Sequence, residues 1–168
     1  MLGRDRTHKV SCMLKHAADT MLRDPRGFEW FVFADDDTYV RIPVLTRLLR
    51  KHKHIDPLML ASCSHNEYPN GGAGIAVSRA WVERYAKTIR HTPSASPSPE
   101  DSTTGDAFLG RLGWNMGVGC TLEHAFENVS PEELGDNTWR ISHAATFHVR
   151  ASDMPAIYKK DLNDSFVL

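Results

Sequence analysis

The chain has 168 residues, enough for a single domain that buries about 70% of its unfolded surface. Hydrophobic residues make up 41% and charged residues 24%, which excludes a disordered polypeptide. Twenty Lys and Arg against 21 Asp and Glu leave a formal charge of −1, so neither nucleic acid nor an anionic membrane is an expected partner.

The first element read from the pattern is a helix over residues ~7–23. Val10, Met13, Leu14, Ala17, Ala18, Met21 and Leu22 recur at helical spacing, and Asp24-Pro25-Arg26-Gly27 stops it. Residues 28–34, FEWFVFA, are apolar, aromatic and β-branched without alternation. Such a run predicts a strand covered on both faces, as in the interior of a parallel sheet. It is also the longest apolar run near a membrane-like composition, and it is far too short to span a bilayer. The segment MLGRDRTHK is charged and has no hydrophobic signal region.

Pro43 opens a second helix over ~42–53, with Leu45, Leu48 and Leu49 as its apolar face. The basic cluster at its end, from Arg47 to His54, fits a solvated helix terminus favoured by the helix dipole. PLMLAS at 57–62 predicts another strand. Gly71-Gly72-Ala73-Gly74 and Ile75-Ala76-Val77 follow, and Ser78 is a natural N-cap for a helix carrying Trp81, Val82, Tyr85, Ala86 and Ile89. TPSASPSP at 92–99 reads as a surface loop, and Glu100 to Thr104 as the opening of a helix with Ala107, Phe108 and Leu112 inside. Residues 113–121 predict a turn and strand, 122–138 an acidic loop, and 141–149 a late strand; the tail holds one short element at most. This order predicts an α/β fold with a mixed sheet flanked by helices.

Three cysteines, Cys12, Cys63 and Cys120, show no metal-ligand spacing and are expected as small buried residues, at least one of them unpaired. Two Asn-x-Ser sequons, at Asn128 and Asn163, are weak pointers to a secretory location.

Asp35-Asp36-Asp37 carries the strongest chemical signal. Three adjacent carboxylates at the end of an apolar strand repel one another unless a cation or hydrogen-bond donors hold them ionised. On an extended chain Asp35 and Asp37 share a face and Asp36 takes the other. Strand ends of α/β sheets are where ligands bind, and a divalent ion bridging carboxylate to diphosphate suits such a place. An EF-hand loop fails because its sixth position would be Val40 rather than glycine. An aspartyl-phosphate motif is weakened because Thr38 stands one place early. Gly-Gly-Ala-Gly permits close backbone approach to a ligand but matches no dinucleotide or P-loop fingerprint. At Glu100-Asp101, a helix cap and a general base are both compatible with the residue types. His148, between Phe147 and Val149, is compatible with a satisfied core histidine, the usual reading of a lone His, or with a metal ligand.

Four stretches in this order, WFVFADDDTYV, NGGAGIAVSR, PEDSTTGDAFLG and ATFHVR, resemble the Fringe-like glycosyltransferases. These are the β-1,3-glycosyltransferases of family 31, which include the Fringe enzymes and the core 1 galactosyltransferases. The resemblance covers roughly residues 28–150 of a single domain, 1–168. It implies a GT-A-like (Rossmann-like) fold. It implies metal-dependent, inverting transfer of a hexose or N-acetylhexosamine from a UDP-sugar to a glycan or glycoprotein acceptor in β-1,3 linkage. Asp37 and His148 would ligate Mn²⁺ with help from Asp36, Asp35 and Asp36 would contact the donor, and Asp101 would be the base. Gly71, Gly72, Ala73 and Gly74 would floor the donor site. The resemblance places the protein in the Golgi or secretory lumen, where full-length relatives carry a membrane anchor that is absent here. Only 34 residues precede Asp35, fewer than in such relatives, so the N-terminal strands of the fold are expected to be missing. The alternative function is a truncated non-catalytic homologue acting as a binding domain.

Overall fold

The computed structural model describes residues 2–24, 27–64, 68–91, 104–150 and 152–165. Two small mixed sheets carry the chain, with helices packed against them. The first sheet contains β1 (Trp30–Phe33), β3 (Met59–Ala61), β4 (Ile75–Ser78) and β5 (Cys120–Leu122) in the order β1-β4-β3-β5. β4 runs antiparallel to both β1 and β3, and β3 is parallel to β5. The second sheet contains β2 (Thr38–Val40), β6 (Phe126–Glu127) and β7 (Thr146–His148) in the order β2-β7-β6. Its β2–β7 pair is antiparallel and its β6–β7 pair parallel. The mixed α/β architecture expected from the element order is therefore present.

Strand alternation explains how the first sheet is covered on both faces. Phe31, Phe33, Met59, Ala61, Ile75 and Val77 point into a core shared with α1 (Leu2–Arg23), α3 (Arg79–His91) and α4 (Gly105–Asn115). Trp30, Val32, Leu60 and Ala76 point the other way, against α2 (Ile42–Leu49) and Phe126. Burying Trp81, Phe108, Leu60 and their neighbours, each side chain contributing about 1.5–3 kcal/mol, holds the helices to the sheet. A third, smaller core of Tyr39, Ala144, Phe147 and Val149 sits under the second sheet and is covered by Ile141, Met154 and Ile157. These last residues come from α5 (Thr138–His143) and α6 (Met154–Ser165).

Several expectations change. β1 is not an interior parallel strand: it lies at the sheet edge, and its one paired neighbour among the described residues is antiparallel β4. Its unbroken apolar run follows from helices on both faces, which leaves the number and direction of neighbouring strands open. Residues 141–149 divide into the end of α5 and then β7. α5 starts at an N-cap, Asn137, whose side chain accepts from the Arg140 N–H at 3.1 Å, and the chain turns extended at Ala144 before β7. The tail forms a helix of 12 residues. The cap of α4 is Thr104, which accepts from the Ala107 N–H at 3.4 Å. Ser78 caps α3 as its position suggests, accepting from the Trp81 N–H at 3.2 Å while ending β4.

Cys63 and Cys120 are not separate buried thiols. They form a disulfide across the β3–β5 end of the first sheet, and Cys12 is the free, exposed one. No described helix is long and apolar enough to cross a membrane.

Candidate functional site

The site is built where the two sheets meet. After β1 the chain turns: the Thr38 N–H donates to the Asp35 carbonyl at 3.1 Å, closing a turn over Asp36 and Asp37. The triplet is thus not extended, and strict alternation does not apply. Asp36 and Asp37 both line the cleft described below, whereas Asp35 is not among its lining residues.

Thr38 ties this turn to the glycine segment. Its buried hydroxyl accepts from the Asp35 N–H at 3.0 Å and donates to the Gly72 carbonyl at 3.0 Å. Gly71–Ala73 form one turn of 3₁₀ helix, and Gly74 leaves it at φ 81°, a conformation that L side chains rarely adopt. The Gly71 N–H donates to Asp106 Oδ2 at 3.1 Å, and the Thr146 hydroxyl bonds the Ala73 carbonyl. The Gly71 N–H and the Gly72 and Ala73 carbonyls are thereby paired with side chains from other elements, and the Gly74 N–H with the Gly71 carbonyl.

The tight turn has a steric purpose. A Cβ on Gly72 would stand 2.8 Å from His148 Nδ1, so only glycine leaves room for the imidazole. None of the glycines is among the cleft's lining residues; Gly72 stands against the His148 ring, and Gly71 against Asp106. His148 in turn is opposite Thr38 in the β2–β7 ladder. The Val149 N–H donates to the Asp37 carbonyl at 2.8 Å, which carries the pairing one step further.

This register brings His148 Nε2 to 3.2 Å from Asp37 Oδ2 across 111 residues of sequence. Both side chains are 42% exposed, so the pair is open to solvent. The cleft around it has a volume of about 520 Å³ and is lined also by Asp36, Asn128, Ser130, Glu132, Glu133, Val149, Arg150 and Asp153. One wall is the segment 128–136. There Ser130 and Glu133 bond reciprocally, the Ser130 N–H to Glu133 Oε2 at 2.7 Å and the Glu133 N–H to Ser130 Oγ at 3.2 Å. The Ser130 backbone N–H, its hydroxyl, and then Arg150 and His148 nearby hold the Glu133 carboxyl below its usual range. The same wall is anchored by buried Glu127, whose carboxylate receives both Nε and a terminal nitrogen of Arg140.

Asp37 and His148 fit a divalent cation on geometry. Two donor atoms roughly 2.1–2.3 Å from one ion and at right angles to each other are about 3.1 Å apart, close to the observed separation. Among the described residues no three His, Cys, Asp or Glu side chains converge to make a complete cage. Two protein ligands leave positions for water and phosphate oxygens, as hard cations bound with nucleotides require. Glu100 and Asp101 lie outside the described residues. Thr38, Asp106, Thr146, Glu133 and Arg150 did not stand out in the sequence; the first three take part through contacts distant in sequence.

The family model described as Fringe-like matches residues 4–67. The matched stretch runs from α1 through β3 and holds the Asp triplet, but it does not extend to His148. It bears out the resemblance to Fringe-like glycosyltransferases and suggests glycosyltransferase activity, with a sugar donor and a glycan acceptor, in the secretory pathway.

Proposed function

We propose that this protein is a metal-dependent inverting glycosyltransferase that moves a hexose or N-acetylhexosamine from a UDP-sugar to a glycan or glycoprotein acceptor in β-1,3 linkage. The observation that carries this is the Asp37–His148 pair, 3.2 Å apart, at the mouth of a carboxylate-rich cleft. Carboxylate plus imidazole is a donor set suited to Mn²⁺. A bound divalent ion would supply charge neutralisation to the departing diphosphate. Asp37 and His148 would hold such an ion, and Asp36 would extend the same carboxylate edge toward the donor. Thr38 and Gly72 keep the two ligands in register.

Asp101 is the proposed base. The acceptor hydroxyl oxygen bonds the anomeric carbon as the carbon–phosphate oxygen bond breaks. The hydroxyl proton passes to the Asp101 carboxylate, and the nucleoside diphosphate departs. One in-line displacement inverts the anomeric centre. The Cys63–Cys120 disulfide supports a secretory location, since such bonds persist in oxidising compartments.

Titration of the purified chain with Mn²⁺ and UDP, followed by calorimetry, tests this reading. The expected result is UDP binding that requires Mn²⁺ and that Asp37→Asn abolishes. Asp101→Asn should leave that binding intact and lower sugar transfer by ~10²–10⁴. A wild-type chain that binds no Mn²⁺ would refute the site and favour a non-catalytic homologue.

A further inference from the structure

We infer that Arg150, which lines the cleft just past the end of β7 together with His148, is the cleft's diphosphate-binding cation and receives the leaving group. The inference rests on the glycosyltransferase reading above and assigns to a specific side chain the work that the ion alone cannot do.

Strand alternation sets the geometry. Phe147 and Val149 are buried in the third core at 2% and 3% exposure, while His148 and Arg150 face outward. The bond from the Val149 N–H to the Asp37 carbonyl keeps the chain extended at this point. Arg150 follows two residues after His148, just past the end of β7, and its side chain is exposed. Both line the cleft with Asp36 and Asp37. An ion held by His148 and a guanidinium one side-chain step away bracket the span of a diphosphate.

Charge makes the residue necessary. Asp36, Asp37, Glu132, Glu133 and Asp153 are five carboxylates in the lining, and Arg150 is its one permanent cation, so with neutral His148 the net is −5 + 1 = −4. A divalent ion brings this only to −2, and a nucleoside diphosphate sugar is itself an anion of about −2. The donor needs a direct positive contact in addition to the ion. A guanidinium is always charged and grips phosphate oxygens with two parallel N–H bonds. Arg150 is in no ion pair within 4 Å among the described residues, and the charge it presents is felt by the nearby Glu133 carboxyl.

The test uses the whole chain and four probes in calorimetry: Mn²⁺ alone, then UDP, inorganic pyrophosphate or UMP with Mn²⁺ present. Arg150→Gln should leave Mn²⁺ affinity within about twofold and weaken UDP and pyrophosphate by roughly 10–100-fold, the loss expected for hydrogen bonds to a charged group. UMP, with no second phosphate, should lose less. Arg150→Lys should restore part of the pyrophosphate affinity, because it returns the charge without the fork. If wild type and Arg150→Gln bind pyrophosphate and UDP equally, the inference is wrong and the metal pair stands. Mn²⁺ binding without any UDP or pyrophosphate binding by wild type has the same meaning. No Mn²⁺ binding by wild type removes the site and the inference together.

Discussion

At the residue scale the site depends on side chains that are small or missing. Gly72 has no chemistry of its own, yet a methyl group there would overlap the His148 ring. Gly72→Ala should move the imidazole away from Asp37 and weaken Mn²⁺ binding at least tenfold. The cost in stability should be about 1 kcal/mol, the ordinary cost of a single substitution, because the ring can swing into the open cleft. Calorimetric Mn²⁺ titration beside a urea melt checks both halves of the prediction; unchanged metal affinity would contradict the packing argument. Glu133 sets a pH limit. Its folded carboxyl is held below the ordinary value, first by the Ser130 N–H, so its contribution is present above the unfolded carboxylate range. That contribution is lost as pH falls through the lowered folded value. Amide exchange at Ser130 should therefore accelerate on acidification, and in Glu133→Gln it should be fast already at neutral pH.

Much of this was readable at the level of residue type and little at the level of partnership. Asp35-Asp36-Asp37 and the late Phe147-His148 could be singled out, because acidic triplets after apolar strands are chemically unusual. That Asp36 rather than Asp35 accompanies Asp37 into the cleft depends on the turn closed by Thr38, a local hydrogen bond that alternation rules do not foresee. Arg150 was hidden for another reason: an arginine near a strand end is ordinary until its neighbours are known.

At the element scale the helices with strong apolar periodicity, α2 and α3, lie where the pattern places them, and the short strands are the harder elements. β2, β6 and β7 have two or three residues each and exist because they pair with one another. The segment 141–149 misled because Ile141, Phe147 and Val149 share an apolar character that serves a helix at one end and a strand at the other. The disulfide was not legible either: Cys63 and Cys120 are 57 residues apart, and only the folded chain brings their Cα atoms to 6.1 Å. Closing so long a loop restricts the unfolded chain, so Cys63→Ala should cost about 2–4 kcal/mol. Urea melts of Cys63→Ala and of the reduced wild-type chain should agree within error; no loss of stability in either would show the bond to be incidental.

At the scale of the whole molecule the edge of β1 that is unpaired among the described residues stands out. Trp30, Phe31 and Val32 are half-buried, and no charge or proline interrupts WFVF. Natural sheets usually guard such an edge with lysine, proline or a bulge, and the β1–β4 register is regular throughout. The isolated chain should self-associate as concentration rises. Sedimentation velocity across a hundredfold range of concentration measures this, and a constant monomer would show that the edge is protected.

The distance between the two ligands along the chain also has a consequence in time. Asp37 and His148 are separated by 111 residues, and a ribosome adds roughly 5–20 residues per second. For on the order of ten seconds of synthesis, the nascent protein exposes its acidic triplet with no imidazole to complete the pair. If the pair takes a cation as proposed, that step must wait until β7 has emerged and joined β2, after the strands of the first sheet have all left the ribosome.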